Sequence, residues 1–400
     1  MESPLALPLK GVRVLAVEQY GAGPFGTLFL ADQGAEVIKV ENPRDGGDMA
    51  RGVGPYFFEP GDSHFFHAFN RNKRSVTLDL NIDEGKVLFH QLVATADAVV
   101  SNLRGDVPEK LGLTYASLKT HNPKVVCAHL SAYGRTGPRA SWPGYDYLMQ
   151  AESGYFSLTG EADGPPTRMG LSIVDLMTGL GLAYATLTAL TAARETGVGR
   201  DIDVSLFDMS LYNLCYVANW YLNCDVITTR LPRSAHPSLT PCAQYKTRDG
   251  WIFLMCNKEK FWPALCEKIE RPELATDSRF ATFADRLANR ELVTEVLDAA
   301  LSERDTADWL AHFAGVVPAA PINDVAQALD NPFVTDNGRL QTLEHANGST
   351  YRMVNTPIGT EGVTPPANPA PALGRDTDAL LEEIGLTAEQ CARLRDAGII

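Results

Sequence analysis

One carboxylate in this chain is set apart by its neighbours. Residues 169–193 read MGLSIVDLMTGLGLAYATLTALTAA, and the only formal charge among them is Asp175. A carboxylate moved into apolar surroundings costs several kcal/mol unless it is partnered or takes up a proton. Such a group is either scaffold, for instance a cap on the helix that starts beside it, or a reagent whose nucleophilicity is raised by desolvation. Local pattern leaves both readings open.

Three further constellations could carry chemistry. Gly21-Ala22-Gly23-Pro24-Phe25-Gly26 is a GxGxxG run after an apolar segment, with Glu41 ending the next one. In a dinucleotide site those glycines bring backbone amides to a pyrophosphate and the acid meets the ribose. Arg71-Asn72-Lys73-Arg74 puts three cations into four residues of an acidic protein. It reads either as a solvated loop or as a phosphate clamp, which Arg104 and Lys110 would extend as a basic lip. The loop 131–138 (SAYGRTGP) and Pro143-Gly144-Tyr145-Asp146 form shaped turns, of the kind α/β folds place beside ligands. No GxSxG elbow occurs, and the eight histidines show neither HxxxH nor HExxH, so a serine nucleophile and a metal site are not expected.

The elements that must position these groups follow from periodicity. Residues 12–18 and 35–40 read as strands around a buried helix at 25–33, a βαβ unit. Strands at 75–80, 98–101 and 125–131, with a helix at 83–96, extend it into a parallel α/β sheet. A long helix is expected over 201–225. The texture then changes to a hairpin, 243–246 and 251–255, followed by helices around 258–269 and 286–313. The tail 363–373 is Pro- and Ala-rich and extended, and helices at 377–385 and 387–398 cap the first domain. The expected division is 1–205 as a large domain, 206–234 as a linker helix, 235–325 as a small domain and 326–400 returning to complete the large one.

Composition limits the partners. The 400 residues carry 35 Lys and Arg against 49 Asp and Glu, a net charge of −14, which argues against nucleic acid or an anionic membrane. Seven cysteines without CxxC spacing suggest neither disulfide framework nor zinc site, and are read as reduced thiols of a cytoplasmic protein. The start, MESPLALPLKG, lacks the features of a signal peptide. Only 169–193 has the length to span a bilayer, and its Asp, Gly and Thr content favours a helix buried in protein.

Taken together, the segments GVRVLAVEQYGAGPFGTLFLADQGAEVIKVENPRDGGD, FNRNKRSVTLDL, SNLRGDVPEKLGL, HLSAYGRTGPRASWPGYDYLMQAESG, SIVDLMTGL, HPSLTPCAQYKTRDGWIFL and ALGRDTDALLEEIGL resemble the class III CoA-transferases, the CaiB/BaiF family, along nearly the whole chain. The resemblance implies a Rossmann-like large domain, a smaller α+β domain and two subunits interlocked as a homodimer. It implies CoA and acyl-CoA as substrates, with a small carboxylic acid as acceptor and no permanently bound cofactor. It makes Asp175 the nucleophile. It puts Tyr20, Gly21 and Ala22 by the thioester, Lys73, Arg74, Asn102 and Lys110 along the CoA, and Tyr145 facing the reacting carbon. Two departures stand out. Formyl-CoA:oxalate transferases usually carry glutamine at the position of Gly21 and a run of glycines in the small domain, and this chain has neither, which argues against formyl-CoA or oxalate as substrates. Asn42 follows Glu41 where some members have arginine, with Arg44 nearby as a substitute.

Two other activities compete. An α-methylacyl-CoA racemase would need histidine where this chain has Tyr145, and a phenol is a poor base at neutral pH. An NAD-dependent oxidoreductase built on the glycine run would leave Asp175 without a task.

Overall fold

A computed structural model describes residues 6–400; Met1–Leu5, the start of the N-terminal stretch judged above for a signal, lie outside the described residues. The chain divides into two units. One collects the chain up to Ser153 with Gly170–Cys215 and Asp336–Ile400, the other Gly154–Met169 with Tyr216–Thr335.

The first unit is built on six strands, β1 (Arg13–Val17), β2 (Glu36–Glu41), β3 (Arg74–Thr77), β4 (Ala98–Ser101), β5 (Val126–Ser131) and β6 (Arg200–Ser205). All pair in parallel, in the order β3-β2-β1-β4-β5-β6. Parallel strands covered on both faces read as continuous apolar runs, and VCAHLS of β5 is buried at every residue. One face packs Leu15, Ile38, Val76 and Val99 against Leu88, Phe89 and Leu92 of the helix Asp83–Val93, and against Leu380, Leu381 and Leu394 near the C-terminus. On α1 (Ala22–Asp32) and α5 (Ile173–Thr196) glycines set the approach. A Cβ on Gly26 would lie 2.6 Å from the Gly179 carbonyl oxygen, and one on Gly179 would lie 2.6 Å from that of Ala22. The two backbones therefore touch, and one turn N-terminal to this contact Gly21 and Asp175 are brought face to face. α5 is long and apolar enough to cross a membrane, but half of its most apolar stretch is buried inside the protein.

The expected helix over 201–225 is corrected. Residues Arg200–Ser205 are β6, whose alternating RDIDVS pattern fits an edge strand. Ser205 then caps a helix at Leu206–Asn213 by accepting from the Asp208 N–H. A left-handed Cys215 (φ 47°) separates it from a second helix, Cys215–Cys224. The division between units accordingly falls at 215/216 and 335/336, with an excursion at 154–169, where composition suggested 205, 235 and 325.

The second unit holds an antiparallel hairpin, Cys242–Lys246 with Trp251–Met255, extended by Ala319–Pro321. Tyr245, Ile252 and Leu254 pack under Trp262, Leu265, Leu297, Trp309 and Phe313 from the surrounding helices.

Candidate active site

Parallel sheets leave a crevice at the carboxyl ends of their strands, where the order reverses. Here that point lies between β1 and β4, and a cavity of about 350 Å³ opens there. Gln19, Tyr20, Gly21 and Ala22 reach it from the end of β1, Asn102 and Arg104 from β4, Ser131 and Ala132 from β5, and Tyr145 from the turn before the helix Asp146–Glu152. Asp175, in the first turn of α5, closes its floor.

Asp175 is 9% exposed, and among the described residues nothing donates a hydrogen bond to its carboxylate. It is not the cap of its own helix. That role belongs to Asp146, whose Oδ2 accepts from the Asp175 N–H at 2.9 Å while Oδ1 accepts from Gln150 Nε2. Burial, and next the charge on Asp146, push the Asp175 carboxyl up to about 7. A Cβ on Gly21 would lie 3.0 Å from Asp175 Oδ2, so the missing side chain leaves that oxygen bare to the cavity. Burial, then the Asp175 charge, also raises the Tyr20 phenol above its usual value.

The glycine run has a different purpose from the one its spacing suggests. Gly21 faces Asp175 and Gly26 the α5 backbone, while a Cβ on Gly23 would strike the Asn102 side chain at 2.7 Å. Gly23 therefore serves close packing of the Asn102 side chain on the start of α1. Glu41, the candidate ribose acid, is occupied as well: it accepts from Arg51 Nη2 (2.8 Å) and Ser75 Oγ (2.6 Å).

The basic run is likewise committed elsewhere. Lys73 is 2% exposed, and its ammonium donates to Glu18 Oε1 (2.8 Å), the Pro24 carbonyl (2.9 Å) and Asn70 Oδ1 (3.1 Å). Arg71 forks onto Asp32, and Asn72 joins it. Arg74 begins β3, at the end of the sheet opposite the cavity, and pairs with Glu36 and Glu383. Within this chain neither Lys73 nor Arg74 lines the cavity, and the phosphate-clamp expectation is corrected for both: the buried Glu18 holds Lys73, and Glu36 and Glu383 nearer the surface hold Arg74. Arg104, 53% exposed at the cavity wall, and Lys110, 67% exposed beyond it, both face Asp106. Tyr145 is 58% exposed and lines the cavity.

Asn102 makes a two-point bond to the backbone of one residue, spanning two successive peptide groups. Its Oδ1 accepts from the Gln19 N–H at 2.8 Å and its Nδ2 donates to the Gln19 carbonyl at 2.7 Å. The next residue, Tyr20, has φ 70°, a left-handed conformation that costs a non-glycine residue about 1–3 kcal/mol.

A second cavity of about 420 Å³ shares Gln19, Met49 and Leu103 with the first and spreads over the ends of β1, β2 and β3, walled by Val40, Leu78, Leu80 and Leu111. Single apolar residues gave no sequence signal for it.

Two other clusters look chemical. Ser101 Oγ, His129 and Asp201 stand 2.9 Å apart in series across β4, β5 and β6, but Ser101 is fully buried and open to no substrate. Asp62 lies 2.9 Å from His67 Nε2 and 2.7 Å from His345 Nε2. The Asn347 N–H donates to His345 Nδ1, which leaves the ring proton on Nε2 facing Asp62. That arrangement is satisfied as a hydrogen-bonded clasp.

The family model described as CoA-transferase family III matches residues 9–377. The chain belongs to this family. It is 37% identical over 388 residues to the succinate–glutarate CoA-transferase of Agrobacterium fabrum, covering 94% of this chain and 96% of that protein. It is 37% identical over 376 residues to the acetyl-CoA:oxalate CoA-transferase of Acetobacter aceti, covering 92% and 90%. Among solved structures, a CaiB/BaiF family protein from Brucella suis aligns with a TM-score of 0.81 at 34% identity, over 95% of this chain and 100% of that one. As a family III enzyme the chain is a transferase that handles CoA thioesters, which answers the oxidoreductase reading of the glycine run.

Proposed function

We propose that this CoA-transferase moves CoA from an acyl-CoA donor to a small dicarboxylic acid through covalent intermediates on Asp175. The observation that carries the reading is the buried carboxylate at the cavity floor, which receives no hydrogen bond among the described residues and is left bare by Gly21. Its oxygen attacks the thioester carbonyl, the C–S bond breaks, and a mixed anhydride forms as CoA leaves as thiolate. The thiolate attacks the Asp175 carbonyl, releasing the donor acid and leaving an aspartyl-CoA thioester. The acceptor carboxylate attacks that thioester in turn, giving a second anhydride and free thiolate. Attack of the thiolate on the acceptor's acyl carbon then yields the new acyl-CoA and restores the carboxylate. Each step exchanges one activated acyl group for another, so the thioester's energy is retained.

The strand order supports a Rossmann-like reading of the first unit, with the nucleotide end of CoA over β1–β3 in the second cavity. Arg104 and Lys110 are the cations placed for its phosphates. Tyr20, Gly21 and Ala22 flank the thioester and Tyr145 faces the acyl group. The interlocked homodimer belongs to the same proposal. Exposed apolar residues of the first unit, Tyr184 and Tyr212, and of the second, Leu222 and Ile227, supply surface for a second copy.

The relatives' named acids, succinate, glutarate and oxalate, all carry two carboxylates, which motivates the acceptor class. The test is a panel of acyl-CoA donors against carboxylic acids, read by mass spectrometry of the CoA products. Glutaryl-CoA formed from succinyl-CoA and glutarate is the expected result. Transfer confined to monocarboxylic acids would overturn the acceptor class, and no transfer from any donor would overturn the activity.

The carboxylate must be ionised to attack, so kcat/KM is expected to rise with pH through about 7 and then level off. Asp146→Asn keeps an oxygen for the Asp175 N–H and removes the neighbouring charge. Its pH–rate profile is expected to shift to lower pH, with an unchanged midpoint as the contrary result.

A further inference from the structure

The loop between β1 and α1 is held more firmly than a simple connection needs. On one side the Gln19 backbone is clamped at both its N–H and its carbonyl, the two peptide groups that flank its Cα, by Asn102. On the other, the Tyr20 N–H donates to Asp48 Oδ1 at 2.9 Å. Asp48 is itself fixed: Oδ1 also accepts from the Ala50 N–H, and Oδ2 lies 2.7 Å from Lys39 Nζ, which donates to the Glu18 carbonyl at 2.9 Å. Between the two clamps sits the left-handed Tyr20. Backbone strain of this kind persists only where the surroundings over-determine it, and it gathers at functional sites. Here its consequence is visible in the next residue, since Gly21 turns its bare Cα towards Asp175 Oδ2.

We propose that Asn102 and Asp48 are positioning residues for the reaction at Asp175, holding Gln19, Tyr20 and Gly21 in a left-handed kink that keeps the side-chain-free wall of the cavity against the reacting oxygen. This rests on the transferase reading above. It assigns Asn102 a task other than contact with CoA, because both ends of its amide are engaged by Gln19. Without the clamps the Tyr20 peptide relaxes to negative φ and Gly21 turns away, so the thioester carbonyl loses its line of approach. Misplacement of about 1 Å at a reacting centre costs on the order of 10²-fold in rate.

The test pairs loss of a clamp with removal of the strain. Asn102→Ala is expected to lower kcat by about tenfold or more while the acyl-CoA KM stays within about threefold. Asn102→Asp, which keeps the acceptor for the Gln19 N–H, should recover part of the loss. Glycine adopts positive φ freely, so in a Tyr20→Gly background adding Asn102→Ala should cost less than about threefold. Thermal melts of each variant separate these effects from unfolding. A raised KM with unchanged kcat, or an undiminished penalty in the glycine background, would overturn the positioning role. A wild-type enzyme that turns over without any covalent adduct on Asp175 would instead overturn the transferase mechanism beneath it.

Discussion

Asp175→Asn should make the protein more stable at pH 8, by roughly 2–4 kcal/mol, with almost no change near pH 3. The sign follows from the two states of the carboxyl group. Its folded value is about 7, whereas the unfolded chain returns it to the ordinary 3.8. Below the unfolded value both states are protonated and burial carries no ionic penalty. Between the two values the unfolded chain ionises while the folded one keeps its proton, and stability falls as pH rises. Above 7 the folded protein holds a desolvated charge at full cost. Asparagine has the same shape without that charge, so it removes the penalty only where the penalty exists. Urea unfolding of both proteins at pH 3 and pH 8 measures the difference. An asparagine variant no more stable than wild type at pH 8 would mean that the carboxylate is solvated or partnered. A stability cost retained at a reactive group is the usual trade between activity and robustness.

Asp175→Ala is expected to abolish transfer, lowering kcat by roughly four orders of magnitude or more, the scale seen when a covalent nucleophile is removed. Binding of acyl-CoA should change by less than about threefold, because the alanine removes none of the walls that Gln19, Tyr20, Asn102, Arg104 and Tyr145 contribute. Isothermal titration with a donor acyl-CoA, beside steady-state assays, separates the two effects. Substantial residual turnover would move the chemistry to another group.

Much of this site is legible in the sequence. Asp175 is visible because a lone charge in an apolar run is anomalous, and Tyr145 because it replaces a histidine the rival activity requires. The five strands read from hydrophobic runs are present in the sheet. Other features depend on partners far away in sequence. The Arg71–Arg74 run invites a phosphate because its true partners, Asp32, Glu18, Glu36 and Glu383, are strewn along the chain. The glycine spacing matches a dinucleotide motif, yet each glycine answers to a different neighbour: Asp175, Asn102 and Gly179. Asp146 stood out only as part of a turn, since nothing local says that it caps a helix 29 residues on. The sixth strand was hidden because RDIDVS carries too many charges to resemble its buried neighbours, which an edge position permits.

In the proposed mechanism Asp175 carries the group being transferred. Wild-type enzyme incubated with a donor acyl-CoA and no acceptor, then quenched with hydroxylamine and digested, should yield the Asp175 peptide with its carboxylate converted to a hydroxamate, and Asp175→Ala should yield none. An unmodified Asp175 peptide from enzyme that is turning over, or a hydroxamate on a different residue, would rule out Asp175 as the nucleophile.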